Sequence, residues 1–205
     1  MPAPRKFSRE QLQAAALALV DEGGLSALTM RSLAARLKTG PMTIYNYVDG
    51  REGLEELVTE AVMAQATWDD APSDDWRHRV RTIAEAMWRT ARAHPATIPL
   101  ILTRRGLDPG TLRPAEALLE ALAASGRTGT DLLVAFRVVQ GFVMGLAQAE
   151  LTGDAQSAPD RMTALPQADF PHLIELAHAA GKSDPEQEFY TGMQIIIAGL
   201  DAARP

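Results

Sequence analysis

Between Thr29 and Leu57 the chain reads TMRSLAARLKTGPMTIYNYVDGREGLEEL, two short apolar stripes of helical period separated by a Lys-Thr-Gly-Pro turn. Thr29 stands where it can cap a helix whose inward residues are Leu33, Ala34 and Leu37, and Leu28 precedes it as a hydrophobic staple for Leu33. Pro41 fits the first position of a second helix, where a missing N–H costs nothing. Ile44 and Val48 lie four apart and face inward, which turns Met42, Thr43, Tyr45, Asn46 and Tyr47 toward solvent. Such side chains suit solubility poorly, but they suit base edges and phosphates well. The pattern is that of a helix-turn-helix.

The flanking segments complete a small helical unit. Ser8 with Gln11 forms a capping-box pattern and Phe7 with Leu12 a second staple, so a first helix is expected from about residue 9, with Leu12, Ala15, Ala16, Leu19 and Val20 inward and Gly23-Gly24 as its stop. Asp49 and Glu52 resemble a capping box for a fourth helix, whose stripe is Leu54, Leu57, Val58, Ala61 and Val62 and which runs to about Trp68.

Net charge, −6 over 205 residues, does not by itself suggest a nucleic-acid partner. Its distribution is more telling. Residues 1–52 hold Arg5, Lys6, Arg9, Arg31, Arg36, Lys38 and Arg51 against Glu10, Asp21, Glu22, Asp49 and Glu52, so the acidic excess lies entirely in the remainder. A solvated charged surface would give the same count, and it is the helix pattern that favours a DNA-facing role. A chain of 46% hydrophobic and 22% charged residues without cysteine is ordinary for a globular protein in a reducing compartment. No apolar run is read as a membrane span and no signal peptide is seen, so a cytoplasmic protein with no membrane partner is expected.

Helices continue to the end, giving an all-α fold. DDAPSDD, residues 69–75, reads as an acidic joint ending in a capping aspartate. A helix from Trp76 to His94 follows, with Trp76, Val80, Ile83 and Met87 on one stripe and Ala84, Trp88 and Ala91 beside it. A short segment from Thr97 to Arg104, a loop from Gly106 to Gly110, and a helix from Pro114 to Ser125 with Leu118, Leu119 and Leu122 inward come next. Leu132 to Leu151 is apolar on nearly every side and must be buried all round. A partner subunit would cover its second face, although close packing inside one bundle would also do. We take the seam between subunits, with Gly141 and Gly145 allowing close approach. Thr152 to Asp169 is expected to be a loop, and Asp184-Pro185 opens a last helix with Phe189, Met193, Ile196, Ile197 and Leu200 on its apolar face and Gly192 and Gly199 again small.

Residues 8–57, through LALVDEGGLSALTMRSLAARL and PMTIYNYVDGREGLEEL, resemble the DNA-binding domain of TetR-type transcriptional regulators. The second half, through HPATIPLILTRRG, QGFVMGLA and DPEQEFYTGMQIIIAGLDA, more loosely resembles the ligand-binding and dimerisation domain of the tetracycline-repressor branch. The resemblance implies a DNA-binding domain over 1–52 and a helical ligand-binding and dimerisation domain over 53–205. It also implies a homodimer, double-stranded operator DNA and a small-molecule effector as partners; no cofactor or metal is expected.

By family position and exposure, Thr29, Arg31, Lys38, Pro41, Met42, Thr43, Tyr45, Asn46, Tyr47 and Arg51 would face DNA. Arg31, Lys38, Tyr47 and Arg51 would hold phosphates, and Asn46 would read adenine. The family commonly carries Gly-Val where this chain has Lys38-Thr39, with Gly40 expected to supply the turn's flexibility one step later. The two bundle helices would pair through Val138, Gly141, Phe142, Gly145, Gly192, Met193, Ile196 and Gly199. Met87, Trp88, Ile101, Leu102, Phe136 and Met144 would line an effector pocket, with His94, Arg104, Arg105 and Gln140 as polar contacts, unless they simply form core. Ile101 stands where magnesium-tetracycline binders present a histidine, so tetracycline recognition is not carried over.

Enzyme readings lack support: there is no glycine-rich phosphate loop, no GxSxG elbow and no cysteine nucleophile. His172, Glu175 and His178 drift round their helix and read as a polar face. The rival to a ligand-responsive regulator, most naturally a repressor, is a helical-bundle enzyme or ligand carrier indifferent to DNA.

Overall fold

Local capping starts most of the helices where the residues suggest. In a computed structural model, which describes residues 6–71, 75–103, 109–149 and 157–203, every regular element among the described residues is helical. Helix α1 (Arg9–Gly23) opens on a reciprocal capping box between Ser8 and Gln11. Helix α2 (Met30–Arg36) opens on another, in which Thr29 Oγ1 accepts the Ser32 N–H at 3.0 Å and Ser32 Oγ accepts the Thr29 N–H at 2.9 Å. Helix α3 (Pro41–Tyr45) begins on Pro41, and α4 (Gly50–Met63) follows. Asp49 makes no side-chain cap, so the expected Asp49/Glu52 box does not form; Gly50 at φ 61° turns the chain into the helix instead. Helix α4 also ends earlier than expected, at Met63, and Trp68 lies beyond it, half-buried against the second core.

Two clusters of buried side chains organise the molecule. Leu12, Val20, Leu28, Leu33, Ile44, Leu54, Leu57 and Val62 close the first, so the buried face of α4 belongs with α1 to α3. The second forms around α5 (Trp76–Ala93), whose predicted stripe is wholly buried, together with α7 (Pro109–Ala123), α8 (Gly129–Ala149) and α11 (Pro185–Ala202). Helix α6 (Ile98–Thr103) joins them: Ile98 is buried in the second cluster and Leu100 in the first, while Ile101 touches both.

Three elements differ from the sequence reading. Helix α7 begins at Pro109, placing Pro114 within its first turns rather than at its start, and Leu119 is only half-buried where Leu118 and Leu122 are fully so. The stretch expected as a loop up to Asp169 contains α9 (Ser157–Thr163), which packs on α10 (Pro171–Ala180). Helix α8 is, contrary to expectation, long and apolar enough to cross a membrane by length and composition, yet one face of it fills the second core. Positions 72–74 of the acidic joint, 104–108 across the end of the short segment and the start of the expected Gly106–Gly110 loop, and 150–156 at the end of the apolar helix and the start of the expected Thr152–Asp169 loop lie outside the described residues.

Candidate nucleic-acid interface

Helix α3 is held by its buried side and open on the other. Ile44 is completely buried and Val48 nearly so, as their spacing requires, whereas Met42 is 76% and Tyr45 53% exposed, unusual values for large apolar side chains. Pro41 and Asn46 are exposed and Thr43 is half-buried. Thr29, Arg31, Tyr45 and Arg51 meet at one cleft of about 330 Å³, walled also by Met30 and Gly50 and floored by Leu28 and Leu54. Residues 22 apart in the chain thus form a single polar concavity next to the exposed face of α3.

The turn before α3 is built differently from expectation. Lys38, not Gly40, occupies the left-handed region, at φ 51°, while Gly40 has an ordinary φ of −84° and caps α3. The Lys38 N–H donates to the Ala35 carbonyl at 3.1 Å and the Thr39 N–H to Ala34 at 2.9 Å, the two bonds of a Schellman helix stop. A β-carbon in this conformation costs about 1 kcal/mol. The strain puts an exposed ammonium group at the entrance to the recognition helix.

Charge pairing divides the N-terminal cations into two sets. Arg9 is bonded to Glu60, Arg36 to Glu22, and Arg51 to Glu55. The hydrogen bond from Arg36 holds the Glu22 carboxyl below the usual carboxylate range. Arg51 also donates to the carbonyls of Leu28 at 2.6 Å and Leu25 at 3.0 Å, which makes it a strut between α4 and the segment before α2 rather than the free phosphate ligand expected of it. Among the described residues, Lys6, Arg31 and Lys38 enter no ion pair.

Tyr47 also departs from expectation. It is half-buried, its hydroxyl accepts the backbone N–H of Phe7 at 3.0 Å, and the two rings lie 6.1 Å apart. Nothing in the local spacing announced this, because the partner lies 40 positions away.

The second domain sorts the other candidates. His94 is not aimed at a pocket: Nδ1 lies 3.0 Å from Asp21 Oδ2 on α1, and Nε2 lies 3.0 Å from Gln65 Oε1 just past α4, so the ring ties the two domains together. Met87, Trp88 and Met144 are buried in the core, Ile101 and Phe136 pack against it, Gln140 is half-buried and Leu102 half-exposed. Arg104 and Arg105 lie outside the described residues.

On α8, Val134, Val138, Gly141 and Gly145 are exposed along one stripe, and a β-carbon at either glycine would meet only open space. On α11 the expected seam residues are out of phase. Met193 is fully buried, Ile196 packs on the core, and Gly192 lies so close under the Phe142 ring that a β-carbon would fall 2.2 Å from its Cζ. The open stripe is instead Thr191, Ile195 and Ala198, with Ile195 68% exposed and Gly199 beside it.

A short exposed helix behind a tight turn, seated on a core it shares with α1, α2 and α4 and joined to a larger helical core, is the architecture of a DNA-binding transcriptional regulator. Residues 12–66 match the family model for bacterial regulatory proteins of the tetR family, and residues 69–204 match that for the tetracyclin repressor-like C-terminal domain. The chain belongs to this family. It is 28% identical over 202 residues to an HTH-type transcriptional regulator of Saccharopolyspora erythraea, covering 96% of this chain and 85% of the relative. It is 28% identical over 200 residues to the class A tetracycline repressor protein from transposon 1721 of Escherichia coli, covering 93% and 88%. Its fold superposes on apo ActR of Streptomyces coelicolor with a TM-score of 0.83 at 27% identity, over 98% of each chain. ActR has also been solved with actinorhodin, and that structure matches with a TM-score of 0.83 at 26% identity. The protein is thus a regulator of transcription and not an enzyme.

Proposed function

We propose that this protein is a homodimeric repressor that binds a palindromic operator and is released from it by a small-molecule effector, acting in the cytoplasm. The observation that carries the DNA reading is the exposure of Met42, Tyr45 and Asn46 on α3, flanked by the unpaired charges of Arg31 and Lys38. Two copies would set their recognition helices in successive major grooves about 34 Å apart. Arg31 and Lys38 hold phosphates, and Asn46 matches the N6/N7 edge of adenine. The open stripes of α8 and α11, two helices that pack on each other, supply the seam between subunits.

The effector side rests on the second core. Trp88 stacks on Phe189 with ring centroids 4.7 Å apart, and its indole N–H is buried without a hydrogen-bond partner. An orphaned buried donor costs about 1 to 3 kcal/mol, which an effector bearing an acceptor would recover. Met87 and Met144 belong to the same core, Phe136 packs against it and Gln140 is half-buried on α8; opened around an effector they would give an adaptable lining for one of largely apolar, aromatic character, and ActR, with a similar fold, has been solved in complex with actinorhodin. Release needs a coupling of about 1 to 3 kcal/mol between the two sites. Helix α6, with Ile98 in one core and Leu100 in the other, transmits it together with α4.

Selection of bound sequences from random duplex DNA tests the reading. Recovery of a palindrome with half-sites one helical turn apart is expected; no enrichment by folded, ligand-free protein would overturn it in favour of a helical ligand carrier.

A further inference from the structure

The backbone just before α1 is fastened to the end of the recognition element. Phe7 gives its N–H to the Tyr47 hydroxyl, its ring leans on the Tyr47 ring at 59°, and both side chains pack against the first core. Lys6 is exposed, with its ammonium 5.2 Å from the centre of the Phe7 ring. Three residues further on, Arg9 points the other way and is consumed by Glu60, which Gln13 also binds. The charge of Lys6 is therefore left uncompensated among the described residues, next to a helix whose open face is polar. Arg5 precedes it, and no acidic residue occurs before Glu10.

We infer that the segment leading into α1 is a DNA-contacting arm, with Lys6 on the phosphate backbone and Tyr47 as the positioning residue that clamps Phe7 beside the recognition helix. The inference rests on the DNA-binding reading and extends it. Tyr47 faces Phe7 rather than solvent, so its contribution passes through the arm. A lysine on a clamped backbone supplies charge with less ordering cost than one on a free tail, and each phosphate neutralised adds about 0.9 to the salt slope of binding. In homeodomains a basic arm preceding the helical reading head reaches the adjacent minor groove, so a chain in this position can meet the duplex beside the recognition helix.

The test uses the full-length protein and a mixed-sequence duplex of about 30 base pairs, with affinity followed against salt concentration. Lys6→Ala is expected to reduce the slope by about 0.9, and Tyr47→Phe, which keeps the ring and loses only the acceptor, by a similar amount. Tyr47→Phe added to Lys6→Ala should change the slope no further, because the charge that Tyr47 positions is already gone. A loss of fold stability alone would not move this slope at temperatures where all variants are folded. If the native protein binds the duplex and either variant keeps its slope, the arm inference is overturned while the DNA reading stands. If the native protein binds no duplex at any salt concentration, both fall.

Discussion

His94 on one domain and Asp21 on the other are joined side chain to side chain, Nδ1 to Oδ2 at 3.0 Å, with Gln65 closing on the opposite ring nitrogen. The amide of Gln65 is itself oriented by a bond from its Nε2 to the Ala61 carbonyl. One imidazole thus meets α1, the residue just past α4 and the turn into α6, the junction through which the proposed effector signal would pass. A double-mutant cycle between Asp21→Ala and His94→Ala should give a coupling of about 0.5 to 1 kcal/mol in thermal unfolding, since the pair is only partly buried. The same variants should bind a selected operator several-fold more weakly while keeping affinity for unrelated duplex, because spacing and not charge has been loosened. Equal losses on both DNAs would show that the clasp does not set the orientation of the reading head.

Lys38 makes a prediction of opposite signs. Lys38→Gly removes the left-handed β-carbon and should raise stability by about 1 kcal/mol, while lowering the salt slope of DNA binding by about 0.9. Calorimetry and a salt titration read the two effects separately. Stabilisation with no change in slope would mean that this ammonium does not reach a phosphate.

An alanine in place of a mid-helix glycine ordinarily stabilises by about 1 kcal/mol. Gly192→Ala should do the reverse, costing about 1 to 3 kcal/mol, because the new methyl group would enter the Phe142 ring. Phe142→Leu in the same chain should recover part of the loss. A stabilised Gly192→Ala protein would disprove the close approach of α8 and α11 at this point.

Gly145 offers the complementary case, since no neighbour in the chain lies within 4 Å of a β-carbon there. Gly145→Leu should leave the secondary structure intact and convert a dimer to a monomer in sedimentation, with operator affinity lost along with the second half-site. A variant that remains dimeric would move the seam away from this stripe.

The proposed division of labour at the DNA face is checked by single substitutions. Arg31→Ala should weaken binding to all sequences alike, whereas Asn46→Ala should relax the preference at one base pair, at a cost of about 1 to 3 kcal/mol on the best site. Affinity measured across a small panel of operators with changed bases decides between them, and a uniform loss for both would reject the assignment.

Much of this architecture could be read from residue order. Ser8 with Gln11, Pro41, Asp75 and Asp184-Pro185 open helices as expected, because capping and φ preferences act over three or four residues. Stripes such as Trp76, Val80, Ile83 and Met87 were equally plain, since a period of 3.6 needs only the helix itself. So was the phase of Ile195-Ile196-Ile197, because Phe189, Met193 and Leu200 set it: Ile196 and Ile197 fall on the packed face and Ile195 stays open. What was not plain is that Met193 and Ile196, also read as seam residues, are used up by the core.

What the order of residues determined by itself is the all-helical class and most of its helices, the helix-turn-helix between α2 and α3, and the acidic excess outside the first 52 residues. What only the tertiary structure decided is which polar groups remain free. Position in the motif offers Arg51 and Tyr47 to DNA, but the fold binds Arg51 to carbonyls 23 and 26 residues back and Tyr47 to a backbone 40 residues away. His94 was likewise moved from a pocket to a joint by a partner 73 residues distant. Helix formation is short-ranged and shows in neighbouring residues; the pairing of charges and hydrogen bonds depends on which segments the cores bring together, and no local pattern encodes that.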